Sequence, residues 1–290
     1  MKKAVVGFSD SSALAKKIAR QVKAKYSELE LKKFPDGETY LRFKDDIKGK
    51  EVIFIESLNN PNEKIFNLIL ASHTAKELGA KKLTLVAPYM CYMRQDKRFN
   101  SGEAISSKII GKLFHNFNKI ITVDPHLHRY KSLKQVFSGN PVRLSANELI
   151  SSYIKKNLKN VLIIGPDAES YQWAEEIAKH VKSHAIVLRK RRFNSRSVKI
   201  RLNNNVSLKG KDVVIVDDII STGHTMIETV KEAKKHKAKN IYCIAVHGLN
   251  VENAYLKLKK LGVKKIIATN TIPGKDSLID VSGLISESLK

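Results

Sequence analysis

At 290 residues, 42% of them hydrophobic, the chain has material for two domain cores, and no apolar run approaches the eighteen residues that a membrane span needs. Two cysteines, Cys91 and Cys243, are too few and too far apart for a disulfide framework or a metal knuckle, so a reducing, cytoplasmic setting is expected. The formal charge of +25 would gather phosphorylated substrates; its lysines fall on helix-like faces (Lys231, Lys234, Lys235, Lys237; Lys257, Lys259, Lys260) without interleaved aromatics, which predicts a solvated surface rather than a nucleic-acid interface.

The opening MKKAVVGF is too briefly apolar for a signal peptide and predicts a strand at Ala4–Phe8, with Ser9 to Ser12 capping a helix to about Val22. Leu29–Phe34 predicts a strand entering Phe34-Pro35-Asp36-Gly37-Glu38, the turn chemistry of a hairpin tip, with an aromatic ring and two carboxylates left on a loop. Tyr40–Phe43 and Val52–Glu56 read as strands, Pro61–Leu78 as an amphipathic helix closed by Gly79, and Leu83–Ala87 as a buried strand. Residues 90–101, with Arg94, Gln95 and Asp96, show no periodicity and predict an exposed loop. Helix resumes over Ala104–Phe114, and a strand at Ile120–Val123 ends in Asp124-Pro125-His126-Leu127-His128-Arg129.

After the turn at Ser138–Pro141 the pattern starts afresh near 144–149. The expected domains are 1–146 and 147–277, with about 278–290 a candidate to pack back on the first. In the second half, strand Val161–Ile164 leads into Gly165-Pro166-Asp167, a helix carries Trp173, Ile177 and Val181, and strand Ala185–Leu188 leads into a loop Arg189-Lys190-Arg191-Arg192. Then comes the stretch that organises the rest, VVIVDDIISTGHTM at 213–226. Four β-branched residues predict a strand buried on both faces, closed by Asp217 and Asp218; Ser221-Thr222-Gly223-His224-Thr225 forms the turn into a helix. Such a turn can hold a phosphate on backbone N–H groups, and it can equally be an ordinary cap. Paired carboxylates before an anion cradle suit the hydroxyls of a sugar phosphate, or a metal bridging to it. Strands at Ile241–Val246 and Ile266–Thr269 complete an alternating pattern, which predicts an α/β protein of two similar domains, each a mainly parallel sheet flanked by helices.

Asp124/His126/His128, Asp167/Glu169, Lys190–Arg192 and Asp217/Asp218 all fall at predicted strand ends. Taken singly, each has a bland structural account. Together they supply the carboxylates, imidazole, cations and cradle that phosphoryl transfer needs.

The segment 213–226 resembles the phosphoribosyl-pyrophosphate loop of type I phosphoribosyltransferases. The whole chain resembles the ribose-phosphate pyrophosphokinase family in its compact archaeal form, through FPDGE at 34–38, YMRQDKRF at 92–99, VDPH at 123–126, GPD at 165–167, KRR at 190–192 and DDIISTGHT at 217–225. The resemblance implies phosphoribosyltransferase-like domains that transfer pyrophosphate from MgATP to ribose 5-phosphate, in a homo-oligomer, a dimer first. It implies that Phe34, Asp36, Gly37, Glu38, Arg94, Gln95 and Asp96 contact ATP, that Asp167 is a ligand of Mg²⁺, and that His126 reaches Mg²⁺ or the phosphates. By the same likeness Lys190 and Arg192, on a mobile loop closing over 190–203, stabilise charge at the attacked phosphorus. Asp217 and Asp218 take the ribose hydroxyls, and Ser221, Thr222, Gly223, His224 and Thr225 the 5-phosphate. A phosphoribosyltransferase or a non-catalytic, synthetase-like regulatory protein remains as the alternative.

Overall fold

The computed structural model describes residues 1–290 apart from His128, Leu188, 193–197 and 202–206, and gives the backbone alone at 9, 168, 169, 172, 187, 189–192 and 198–201. The chain divides into two compact units, Met1–Leu144 with Ser282–Lys290, and Ser145–Val281.

The first unit contains β1 (Lys3–Gly7), α1 (Ser12–Gln21), β2 (Lys25–Ser27), β3 (Leu29–Lys33), β4 (Thr39–Phe43), β5 (Glu51–Ile55), α2 (Pro61–Glu77), β6 (Lys82–Val86), α3 (Ser106–Leu113), β7 (Lys119–Val123) and β8 (Asn140–Leu144). Six of its strands form a parallel sheet in the order β2-β1-β5-β6-β7-β8. Strands covered on both faces are mostly apolar; every residue of β5 is buried, four of the five aliphatic or aromatic and the first, Glu51, ion-paired with Lys82 at 3.0 Å. Phe54 sits at the centre of the core, with ring centroids 6.2 Å from Phe8, 6.2 Å from Phe43 and 5.9 Å from Phe117.

The second unit contains α4 (Asn147–Asn157), β9 (Val161–Gly165), α5 (Ala168–His180), β10 (Ala185–Val187), β11 (Arg189–Arg192), β12 (Val198–Arg201), β13 (Asp212–Ile220), α6 (His224–Lys235), β14 (Asn240–Gly248), α7 (Ala254–Lys260), β15 (Lys265–Thr269) and β16 (Ser277–Ile279). Its parallel sheet runs β10-β9-β13-β14-β15-β16. Helix α8 (Ser282–Ser288) belongs to the first unit, where Gln21 on α1 donates to Ser282 Oγ at 3.2 Å and accepts from Ser286 Oγ at 2.7 Å.

The two sheets share one strand permutation: counted within each unit, the order is 2-1-3-4-5-6, with an antiparallel hairpin (β3–β4, β11–β12) inserted after the second strand. The direction of winding reverses between the first and third strands, and ligands of open α/β sheets bind beyond the carboxyl ends of the strands at that reversal. The topology therefore nominates β1/β5 in the first unit and β9/β13 in the second.

Four readings of the sequence change. Residues 140–144, read as following a turn, form the edge strand β8, where Pro141 needs no donor on its free side. Lys25–Ser27, three residues without pattern, form β2. Arg189–Arg192 pair with Val198–Arg201 as a strand rather than lying in a loop. Strand β13 does not stop at Val216 but passes through Asp217 and Asp218 to Ile220, because the nine-residue β14 carries the ladder onward.

At the reversal of the first unit the chain supplies its own cation. Lys64 Nζ on α2 lies 3.0 Å from Glu56 Oε1 and 3.0 Å from Asp10 Oδ2, and donates to Ser57 O at 2.8 Å and Asn59 Oδ1 at 3.1 Å. Glu56 is 1% exposed and its Oε2 has no hydrogen-bond partner among the described residues. Burial pushes its carboxyl up to about 7 against the pull of Lys64, with Asp10 adding to the rise. A carboxyl raised on folding holds a proton that the unfolded chain releases, so this site's contribution to stability falls as pH climbs from about 4.5 to about 7, by on the order of 3 kcal/mol, and is flat above. Glu56→Gln is expected to flatten that part of the stability–pH curve; an unchanged slope in urea titrations at pH 5, 6, 7 and 8 would count against it.

Candidate active site

In the second unit the register of β13 decides where its carboxylates lie. It pairs with β9 only from Asp212↔Val161 to Ile215↔Ile164, while its pairing with β14 continues to Ile220↔Gly248. Asp217 and Asp218 thus pass beyond the end of β9 and overhang the reversal crevice. Asp167, two residues after β9, caps α5: its Oδ1 accepts from Ser170 N at 3.0 Å, and Ser170 Oγ accepts from Asp167 N at 3.1 Å. Desolvation first, then the neighbouring Asp218 and Asp167, holds the Asp217 carboxyl well above the usual range, although Asp218 N donates to its Oδ1 at 3.0 Å. Carboxylates crowded this way are relieved by hydroxyl donors or by a cation.

The turn after β13 is fastened from outside. Ile220 O accepts from Leu249 N and Asn250 N at 3.0 and 3.1 Å, and Ser221 O accepts from Val251 N at 3.0 Å. Gly223 is the N-cap of α6 with φ +77°, and a Cβ there would stand 3.0 Å from Ala254 Cβ, so both conformation and space require glycine. No side chain caps this helix, which leaves its first-turn N–H groups available to an anion. His224 and Thr225, read in the sequence as loop, are its first helical residues; His224 is exposed, while Ser221, Thr222 and Thr225 are half-buried.

Residues 34–38 are the tip of the β3–β4 hairpin in the first unit. Phe34 N donates to Glu38 O at 2.8 Å, Glu38 N donates to Asp36 Oδ1 at 3.1 Å, and Gly37 takes φ +94°. The tip holds Phe34 half exposed, its ring 6.1 Å from that of Tyr40 and edge-on to it. The loop after β6 is pinned rather than merely exposed: Met90, Cys91 and Met93 are buried, while Tyr92 and Arg94 face solvent. Both motifs hang on the first turn of α2, through Lys33–Glu63 at 3.0 Å and Tyr92 Oη to Asn62 Oδ1 at 2.5 Å.

Within that loop Gln95 Oε1 accepts from Ser106 Oγ at 2.8 Å, and the Asp96 side chain, 2% exposed, accepts from Arg129 Nη1 at 2.7 Å. Asp96 therefore aims Arg129, whose guanidinium also lies 5.4 Å from the centre of the Phe99 ring. Arg129, not singled out in the sequence, stands three residues beyond His126 after the same strand. His126 itself is half-buried beyond β7, next but one to Asp124, which adopts φ +35°, a conformation rare outside glycine. Lys190 and Arg192 occupy alternate positions of β11, opposite Ile200 and Val198. Their side chains, like residues 193–197 and 202–203 of the expected closing segment, lie outside the described residues.

Residues 4–117 match the model for the N-terminal domain of ribose phosphate pyrophosphokinase, and residues 132–274 that for the phosphoribosyl transferase domain. A ribose-phosphate pyrophosphokinase of Saccharolobus solfataricus is 35% identical over 98% of this chain and 99% of its own. That of Methanosarcina acetivorans is 36% identical over 99% of each. The chain belongs to the ribose-phosphate pyrophosphokinase family. Its fold matches the crystal structure of phosphoribosylpyrophosphate synthetase from Mycobacterium smegmatis, with a TM-score of 0.87 over 100% of this chain and 98% of that one at 22% identity.

As in other α/β enzymes, the strand-end carboxylates of this ribose-phosphate pyrophosphokinase chain suit a hard, oxygen-seeking cation. Among the described residues no group of three or more His, Cys, Asp or Glu side chains forms a metal cage. The crowding of Asp217 by Asp218 and Asp167 is of the kind that a bound divalent cation offsets. No helix of the described residues is long and apolar enough to cross a membrane.

Proposed function

We propose that this protein transfers the pyrophosphoryl group of MgATP to the 1-hydroxyl of ribose 5-phosphate, giving 5-phosphoribosyl 1-pyrophosphate and AMP for nucleotide synthesis. The observation that carries the reading is the uncapped N-terminus of α6 directly after Asp217 and Asp218, at the strand reversal, in a chain matched end to end by its family. The sugar's O1 attacks the β-phosphorus, and the bond from that phosphorus to the α,β-bridging oxygen breaks, leaving AMP.

Residues 221–225 hold the 5-phosphate on backbone N–H groups, and Asp217 and Asp218 take the ribose hydroxyls, with Asp218 the candidate acceptor of the hydroxyl proton. Phe34 offers a ring face for adenine, with Asp36, Gly37 and Glu38 along the same hairpin tip. Arg94 meets the phosphates, while Gln95 and Asp96 order the loop that presents it, Asp96 through Arg129. His126 lies with the phosphates. Lys190 contributes a compact charge and Arg192 a planar fork to the oxygens of the attacked phosphorus. In the second unit Asp167 would hold Mg²⁺, which would supply charge neutralisation for the triphosphate, and in the first unit His126 would reach the metal or the phosphates. The assembly we propose is a homo-oligomer, a dimer first.

AMP is expected to appear only when ATP, Mg²⁺ and ribose 5-phosphate are all present, and to cease when EDTA exceeds the metal. AMP release that ignores the sugar would make the protein an ATP hydrolase instead. Release of pyrophosphate from phosphoribosyl pyrophosphate with a free base would favour the phosphoribosyltransferase reading.

A further inference from the structure

The opposite end of the second sheet carries a feature that this reaction does not use. A cavity of about 580 Å³ opens where the chain enters β9 and β13 and where α5 turns toward β10. Its rim holds Lys155, Lys159, Lys182, Lys211, Lys239 and His184. All six are exposed. The one carboxylate in the lining, Asp212, already accepts from Asn240 Nδ2 at 2.7 Å. None of the five lysines makes an ion pair among the described residues, although lysines elsewhere in this unit do, for example Lys231 with Glu228 at 2.7 Å. Five like charges around one concavity repel one another, and an anion seated among them removes that repulsion.

The floor has a different character. Ile154 and Val161 are buried, and Leu158 and Val181 half-buried, so a band of aliphatic carbon lies beneath the cationic rim. The volume falls within the roughly 300–1,000 Å³ usual for sites of small organic ligands. An apolar body with several negative charges at one end matches both layers, which inorganic phosphate alone would not. A nucleic-acid strand fits less well, because a concavity of this volume takes one small ligand rather than a run of backbone phosphates tracked along a groove.

We propose that this cavity is a second anion site, which takes a small organic polyphosphate of the nucleoside polyphosphate class and is separate from the strand-end carboxylates where the sugar phosphate is read. Within this unit the two sites lie at opposite ends of β13: Asp212 at one, Asp217 and Asp218 at the other.

The test uses the full-length protein and α,β-methylene-ATP, which cannot transfer its terminal pyrophosphate. Isothermal titration is expected to give two nucleotides per wild-type chain and one fewer per chain of the variant Lys159→Glu/Lys182→Glu/Lys211→Glu. That difference of one does not depend on whether the protein is a pyrophosphokinase, so the two readings fail separately. Matching far-UV circular dichroism and melting temperature establish that the variant is folded; if it is not, the single variants Lys182→Glu and Lys211→Glu are each expected to weaken the second binding event at least tenfold. Equal stoichiometry and affinity in wild type and variants would overturn the site. A lysine-dependent loss of binding to a labelled single-stranded RNA, with nucleotide stoichiometry unchanged, would overturn it in favour of a nucleic-acid surface.

Discussion

Lys190→Ala is expected to lower kcat by about a thousandfold while leaving the dissociation constant for ATP within about threefold, as for other single cations that meet charge developing in phosphoryl transfer. The expectation rests on position and chemistry. Lys190 lies on β11, part of the hairpin inserted after the second strand of the second sheet, and alternates with Arg192 along that strand. An ammonium is a compact charge, and one brought to the β-phosphorus only when both substrates are present strengthens binding in the transition state more than in the ground state. The diagnostic is therefore the split: equilibrium ATP binding retained, single-turnover AMP formation lost. A variant with unchanged turnover would remove Lys190 from the chemistry, and one that lost both in equal measure would make it a binding residue.

Asp217→Asn is expected to do two opposite things. Burial beside Asp218 and Asp167 raises the Asp217 carboxyl, so the folded chain prefers its protonated form, and each step in pH above the ordinary carboxylate value near 4 makes the folded state pay more for the charge. An amide keeps the acceptor that meets Asp218 N and carries no charge. The variant should melt at a higher temperature than the wild type at pH 8 and at the same temperature near pH 4. Its kcat/KM for ribose 5-phosphate should fall about 100-fold, from one or two lost charge-assisted hydrogen bonds at roughly 1.5–3 kcal/mol each. Stability gained where activity is lost marks a residue kept for function. A variant both less stable and fully active would contradict the placement of Asp217 in the sugar site.

Arg129 and Asp96 show how a side-chain pairing escapes a linear reading. Asp96 stands in a motif that resembles ATP-contacting loops, yet its carboxylate is spent on Arg129, 33 residues further on, and the group that reaches solvent is the arginine. Spacing cannot reveal a pairing that depends on β6 and β7 lying side by side. Met90, Cys91 and Met93 escaped for a similar reason: without helical or strand period, their burial follows from where β6 ends rather than from local pattern.

The amino-acid sequence alone determined the alternation of apolar strands with amphipathic helices, the doubling of the α/β unit, the hairpin tip at 34–38 and the Asp-Asp-turn-helix at 217–225. These are local matters, set by side-chain period, turn residues and the requirement for glycine at 223. Strand order, the extension of β13 beyond β9, the edge strand β8, the β11–β12 pairing and the lysine-rimmed cavity were decided only in three dimensions. They depend on hydrogen bonds and charges between residues far apart in the chain, and no property of either partner alone specifies them.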